Sequence, residues 1–213
     1  MNKAVYIQYG SGPKAVNGWI NFDASLTLKL QKVLPIKKFM GNKAIFDEDV
    51  RYGDIVKGLP VADNSVTGLY CSHILEHIHR DNIEVALENS YRILKPDGIF
   101  RLVVPDLFWR AQQYFDHARE SEAADIFQKR LLLRSTKAPK GLESRLRAVF
   151  GLSMHQWMYD EALMTNLLQM AGFINVRRCN FGDCTDEFFS KVELKDRFIA
   201  NGFRELAIEC KKP

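Results

Sequence analysis

Tyr9-Gly10-Ser11-Gly12 sets two glycines directly behind a short apolar run, where bare backbone can approach a ligand that a side chain would hold off. The same residues also suit an ordinary strand-ending turn. They do not form the dinucleotide fingerprint, which needs a third glycine and a helix opening at once. Here Pro13 follows and too few residues remain for a helix, which counts against NAD and FAD. Asp23 ends the next apolar run, where a carboxylate can accept hydrogen bonds from both hydroxyls of a ribose or cap the following helix. Asp54, after Gly53, can meet an adenine amino group or simply occupy a turn.

Histidine chemistry is concentrated in two places. Ser72-His73-Ile74-Leu75-Glu76-His77 contains H-x-x-E-H, the inverted zinc-protease motif, whose two histidines would share a helix face as metal ligands. The motif here follows a strand in a parallel-sheet pattern rather than the setting of such a protease, so the expected site contains no metal and the histidines serve hydrogen bonds in a loop. His155-Gln156-Trp157-Met158-Tyr159 precedes a helix; either Trp157 and Met158 pack inward with His155 at the surface, or His155 and Trp157 reach a ligand cleft from its far side. Between residues 127 and 150 lie Lys129, Arg130, Arg134, Lys137, Lys140, Arg145 and Arg147 against the single acid Glu143. Such a run is either a solvated face or, beside a cleft, an attraction for a phosphorylated or acidic substrate.

The elements that must position these residues alternate. Apolar runs at Ala4–Ile7, Trp19–Phe22, Asp49–Tyr52, Val66–Cys71 and Ile99–Val104 read as strands, as do stretches near Ile174–Phe181 and Arg204–Cys210. The fifth is broken only by Arg101, as befits a strand covered on both faces. Leu26–Leu34 has helical spacing up to Pro35. A second helix, capped by Asp81, carries Ile83, Leu87 and Leu94 on one face until Pro96-Asp97-Gly98. A third runs over Tyr159–Ala171, with Asp160 as cap, Ala162, Leu163, Leu167 and Met170 inward, and Gly172 at its end. Residues 107–150 are helical in pattern and charged. This order predicts an α/β domain with a mostly parallel sheet, whose ligands sit beyond the C-terminal strand ends at the switch point. The loops 9–13, 23–25, 53–60, 72–77 and 105–106 are therefore the candidate site.

The chain has 213 residues, 46% of them apolar, enough for one core, and residues 1–213 are read as one domain with 107–150 as an insertion over the substrate side. A net charge of +4 falls short of a dedicated nucleic-acid binder. Cys71, Cys179, Cys184 and Cys210 form no C-x-x-C pair and no disulfide framework. With neither a signal-peptide core nor a membrane-length apolar stretch, the expected setting is the cytoplasm.

The motifs together resemble the class I S-adenosylmethionine-dependent methyltransferases, in particular the branch called methyltransferase type 11. Tyr9 to Pro13 with Gly18-Trp19-Ile20-Asn21-Phe22-Asp23 is similar to the family's glycine loop and acidic second-strand end. Leu59-Pro60 with Asp63-Asn64-Ser65 resembles its L-P-F-x-D-x-S segment, and Ser72-His73 with Leu75-Glu76-His77 its S-H-x-L-E-H turn. Arg92-Ile93-Leu94-Lys95-Pro96-Asp97-Gly98 is similar to R-x-L-K-P-G-G, and Ala171-Gly172-Phe173 to the A-G-F before the sixth strand. Gly10-Ser11-Gly12 is a shortened form of the family loop, and Asp97 stands where a glycine is usual, a left-handed position that Asp tolerates.

The resemblance implies a Rossmann-like, seven-stranded, mostly parallel sheet with helices on both faces, an antiparallel last strand and a helical insertion after the fifth strand. It implies S-adenosylmethionine as cofactor. Tyr9, Gly10, Ser11 and Gly12 would line its methionine end, Asp23 would hold the ribose, Asp54 and Ile55 would flank the adenine, and Ser72 and His73 would sit beside the sulfonium. The acceptor would be a small molecule, with an anionic sugar or glycan intermediate suggested by the basic run. If it is a hydroxyl, His155 is the first candidate for its base and His73 the second. The competing expectation is a non-catalytic module that binds S-adenosylmethionine in the same fold.

Overall fold

A computed structural model describes residues 4–33, 46–131, 154–200 and 203–213. The strands are β1 (Tyr6–Tyr9), β2 (Ile20–Asp23), β3 (Val50–Tyr52), β4 (Val66–Ser72), β5 (Leu94–Val104), β6 (Ile174–Arg178), β7 (Ile199–Ala200), β8 (Phe203–Arg204) and β9 (Leu206–Lys211). The helices, in chain order, are α1 (Leu26–Val33), α2 (Ile83–Ile93), α3 (Leu107–Asp116), α4 (Ala123–Leu131), α5 (Glu161–Met170) and α6 (Lys195–Phe198).

Seven strands form one sheet in the order β3-β2-β1-β4-β5-β9-β6, and β7 and β8 form a separate hairpin. β1 pairs in parallel with β2 and β4, β2 with β3, and β4 with β5, whereas β9 runs antiparallel to both β5 and β6. The sheet is thus mostly parallel with an antiparallel last strand. The chain turns from one wing to the other at β1 and β4, the switch point where such sheets open a crevice.

Strand alternation sorts the core into two faces. Ile7, Tyr9, Leu69, Cys71, Phe100, Leu102, Val104, Leu206 and Ile208 pack on the buried sides of α2 and α5. Tyr6, Trp19, Tyr70, Ile99, Val103 and Ala207 face the other way, under Phe189 of the helical turn Glu187–Lys191 and Phe198 of α6. Arg101 points to this second face and is only 1% exposed. Its cross-strand neighbour on β9 is Glu209, at 2.7 Å, and Glu193 accepts from Nε at 2.7 Å and Asp183 from Nη1 at 3.1 Å. Arg177 on β6 donates to Glu209 from the other side at 2.7 Å. The one charge in the fifth apolar run is therefore buried with its partners around it.

Several elements lie differently from the sequence expectation. β1 begins at Tyr6 rather than Ala4, because the Val5 N–H turns aside to the Thr67 hydroxyl at 3.2 Å. Asp81 lies in a short 3-10 turn before α2 and does not cap it; Asn82 stands at the helix start without a side-chain cap. Leu94 is not on the helix face but opens β5, since Pro96 disfavours helical geometry just before it. In α5, Asp160 caps the Leu163 N–H as expected, yet Met164, Leu167 and Leu168 are the buried residues. Ala162 lies two positions from Met164, on the far side of a 3.6-residue turn, and Met170 is 67% exposed. Asp97 has φ +62°, the left-handed geometry expected of it. The helical pattern after β5 holds for α3 and α4; residues 132–150 lie outside the described residues, as do Leu34 and Pro35.

Candidate functional site

The loops after β1 and β2 are tied to each other. Ser11 N–H donates to the Phe22 carbonyl at 3.0 Å, and Gly12 N–H to Asp23 Oδ2 at 3.0 Å. Asp23 Oδ1 accepts from Ser25 N–H at 2.8 Å, while the Ser25 hydroxyl caps Leu28 N–H at 3.2 Å, so Ser25 and not Asp23 is the helix cap. A carboxylate offers about four acceptor positions, and these two bonds leave capacity for more. The two glycines differ. Gly10, at φ +68°, would put a Cβ only 1.9 Å from Ile74 Cδ1, so its bareness is required by that side chain. Gly12, at φ +67°, has nothing within 4 Å of a Cβ position and presents open backbone.

The other residues expected around the cofactor divide in the same way. The Tyr9 ring is turned into the core, with its hydroxyl 3.3 Å from Ser90 Oγ, so only its backbone reaches the loop. Asp54 accepts from Val56 N–H at 3.0 Å and lies 3.6 Å from Lys57 Nζ. The Ile55 side chain joins the core. The Ser72 hydroxyl, at the end of β4, is buried without a hydrogen-bond partner among the described residues.

Beyond Ser72 the chain turns sharply. His73 adopts φ +55°, and Leu75–His77 form a 3-10 turn, not the α-helical face on which His73 and His77 would stand together. Leu75 is driven into the core and the Glu76 side chain is fully buried. The segment after residue 153 docks here through its backbone: Gln156 and Trp157 N–H both donate to the Glu76 carbonyl, at 2.6 and 3.2 Å. That docking brings the His155 ring to 5.1 Å from the His77 ring, edge to face.

Each histidine gives one ring nitrogen to a backbone carbonyl. His77 Nδ1 lies 3.1 Å from Met154 O, His155 Nδ1 2.8 Å from Leu131 O, and His73 Nε2 3.1 Å from Arg197 O. The opposite nitrogens of His73 and His77 approach Glu76 Oε1, at 3.4 and 3.9 Å. Neither Glu76 oxygen receives a well-aligned hydrogen bond among the described residues. Burial would lower the His73 pKa, but the Glu76 carboxyl and the Arg197 carbonyl outweigh it and raise the value. Burial dominates at His155 and lowers its pKa, against the pull of Glu76 and aided by His77.

His73 and His155 line a cavity of about 520 Å³ beyond the strand ends, together with the cations Arg110, Lys129, Arg130 and Arg197 and the acids Asp196 and Glu205. Arg110 is spent on Glu205, which accepts from both terminal nitrogens at 2.9 Å, and Lys129 pairs with Asp125. Arg130 lies over the Phe203 ring at 4.3 Å, and neither it nor Arg197 has an ion pair among the described residues. Of the basic run, Lys129 and Arg130 reach this cavity; Arg134, Lys137, Lys140, Glu143, Arg145 and Arg147 lie outside the described residues. Sequence reasoning did not single out Arg110, Arg197 or Glu205. They come from α3, α6 and the approach to β9, and no local spacing marks them as neighbours.

Residues 31–102 match the family described as a methyltransferase domain. No curated protein matches the chain in sequence. Among solved structures, the chain resembles an S-adenosylmethionine-dependent methyltransferase from Archaeoglobus fulgidus, at 16% identity and TM-score 0.50, over 99% of this chain and 87% of the other. It also resembles the apo form of the S-adenosylmethionine-dependent methyltransferase SibL, at 14% identity and TM-score 0.53, over 99% of this chain and 50% of the other. A third, PigF with S-adenosylhomocysteine, is 14% identical at TM-score 0.48, with 99% of this chain and 56% of that one covered. The chain spans about half the length of the first solved structures it matches. The fold is therefore the Rossmann-like fold of the S-adenosylmethionine-dependent methyltransferases, and the domain match agrees with the class I resemblance read from the motifs.

Proposed function

We propose that this chain is an S-adenosylmethionine-dependent methyltransferase acting on a small anionic acceptor bound in the cavity beside His73 and His155. One observation carries the reading: Asp23, at the end of β2, holds the open backbone of Gly12 beyond β1 with one oxygen and keeps acceptor capacity beside the switch point. The residues present fit an adenosyl cofactor. Asp23 can accept from ribose hydroxyls and Gly12 offers an unobstructed backbone surface, while Ser72 and His73 at the end of β4 are the proposed neighbours of the sulfonium. Asp54 and the Ile55 backbone are the proposed neighbours of the base. The backbone of Tyr9, Gly10 and Ser11 is the proposed boundary of the methionine end, with Ile74 against Gly10.

The cofactor supplies a methyl group already activated on a cationic sulfonium, so the protein contributes position and exclusion of water. On the acceptor side, Arg130 and Arg197 outnumber Asp196, the lining acid not spent on Arg110, and favour an anionic group in the cavity. A phosphorylated or acidic sugar intermediate fits that character. For a hydroxyl acceptor, His155 is the first proposed proton acceptor. Its Nδ1–H is committed to the Leu131 carbonyl and Nε2 keeps its lone pair. His73 is the second.

Calorimetry with S-adenosylhomocysteine tests the cofactor site. The chain should bind one equivalent, and Asp23→Ala, which removes two charge-assisted bonds of about 1.5 kcal/mol each, should weaken binding roughly a hundredfold. An unaltered affinity in Asp23→Ala would sink the assignment. Tight binding with no methyl transfer to any anionic acceptor would favour the non-catalytic module instead.

A further inference from the structure

We propose that Glu76, His77 and His155 form a binding site for one divalent first-row transition metal of the zinc class. Their donor atoms all lie within 4.8 Å of one another. A backbone carbonyl only accepts, so the Nδ1 atoms of His77 and His155, facing Met154 O and Leu131 O, must carry hydrogen. Each neutral ring then presents a bare Nε2 lone pair. This is the arrangement in which ligating histidines are usually held, with the second nitrogen fixed by an outer acceptor.

The carboxyl between them supplies an independent observation. Glu76 is 0% exposed and neither oxygen has an aligned hydrogen bond among the described residues; Oε1 has only the loose contacts of His73 Nδ1 at 3.4 Å and His77 Nε2 at 3.9 Å. A buried polar group left in that condition is costly, and such groups in native structures call for a ligand, a water or an ion. The His77 Nε2 lone pair, 3.9 Å from Glu76 Oε1, and that oxygen repel one another unless a proton or a cation stands between them. Two imidazole nitrogens and one carboxyl oxygen suit zinc and its neighbours rather than calcium or magnesium, which take oxygen. Three protein ligands leave a coordination position open, and His155 also lines the cavity.

Metal binding itself does not depend on the methyltransferase reading, but its use does. If the cavity holds the acceptor, a metal at its wall would polarise an acceptor oxygen and loosen its proton. The His155 Nε2 lone pair would then belong to the metal, and the ring would act as a ligand instead of a base.

The experiment uses the full chain stripped with a chelator and titrated calorimetrically with zinc chloride, with magnesium chloride as control. One equivalent of zinc should bind, far more tightly than magnesium. His77→Ala and Glu76→Gln should each weaken it by more than about tenfold, the lower end of what even an outer-shell change costs. Their unfolding midpoints should show that both variants remain folded; His77 is partly exposed, so its variant keeps the test valid if Glu76→Gln fails to fold. Zinc binding no tighter than magnesium, or zinc affinity unchanged in His77→Ala, overturns the proposal. Titration of the same samples with S-adenosylhomocysteine separates the two readings. Cofactor binding without zinc defeats only the metal site, and zinc binding without the cofactor defeats only the methyltransferase assignment.

Discussion

Two regions bury charge-bearing side chains and treat them in opposite ways. On the second face of the sheet, Arg101 is surrounded by Glu193, Glu209 and Asp183, and Glu209 is shared with Arg177. At the end of β4, Glu76 is as deeply buried, yet its oxygens have no aligned donor among the described residues. A satisfied network fixes strand neighbours and the segment that covers them. A buried carboxyl with only loose histidine contacts costs stability, and the proposed metal site rests on that condition. The contrast separates a part of the molecule that holds the fold from a part that uses it.

The sharpest way to break the contrast is Arg101→Met. It leaves the buried Glu193 without its cation and Glu209 with Arg177 alone, and such a loss destabilises a fold by about 3–5 kcal/mol. Denaturant unfolding would check it, and a change below about 1 kcal/mol would mean that the network contributes little. Glu76→Gln should move the other way. Removing a buried carboxyl that has no aligned hydrogen bond among the described residues should leave metal-free stability unchanged or raise it by about 1 kcal/mol. A marked loss in the same assay would make Glu76 a structural residue like Glu209.

The smallest effect concerns pH. Burial alone would raise the pKa of Glu209, but the Cys184 thiol, Arg101 and Arg177 hold it below the ordinary carboxylate range, and Asp183 is lowered through Asn180 N–H and the same arginines. With folded-state values below the unfolded ones, their stabilisation is complete above the ordinary carboxylate range and is lost as pH falls through the lowered values. Arg177→Met should therefore flatten the acid side of the stability profile. The loss at neutral pH should stay within about 1 kcal/mol, because this arginine is partly exposed. An unaltered acid slope would take Arg177 out of the network.

Much of the sheet was legible because its signals are local. Apolar runs marked the strands, Asp160 capped α5, and Asp97 took the left-handed geometry its neighbours imposed. The buried face of α5 was misread because Ala162 and Met170 are apolar without lying on the side that meets the sheet. In the site, Asp23 and Gly12 were each marked by residue type, but the hydrogen bond between them is a feature of the folded strand ends. The motif around His73 and the segment around His155 were each visible, but their contact was not. Their meeting depends on two backbone bonds to the Glu76 carbonyl across a long sequence separation, and no side-chain spacing encodes those. Arg101 was conspicuous as a lone charge, whereas its acids, scattered from residue 183 to 209, carried no pattern.

The carbonyls of Leu131 and Met154 have a consequence for spectroscopy. By claiming the Nδ1–H of His155 and His77, they force both neutral rings into the tautomer that free histidine in water disfavours. Nitrogen chemical shifts should register two such inverted imidazoles in solution. Either ring flipping over would break its tether to the chain at the borders of residues 132–153, so the orientation of two side chains and the anchoring of those borders amount to a single degree of freedom.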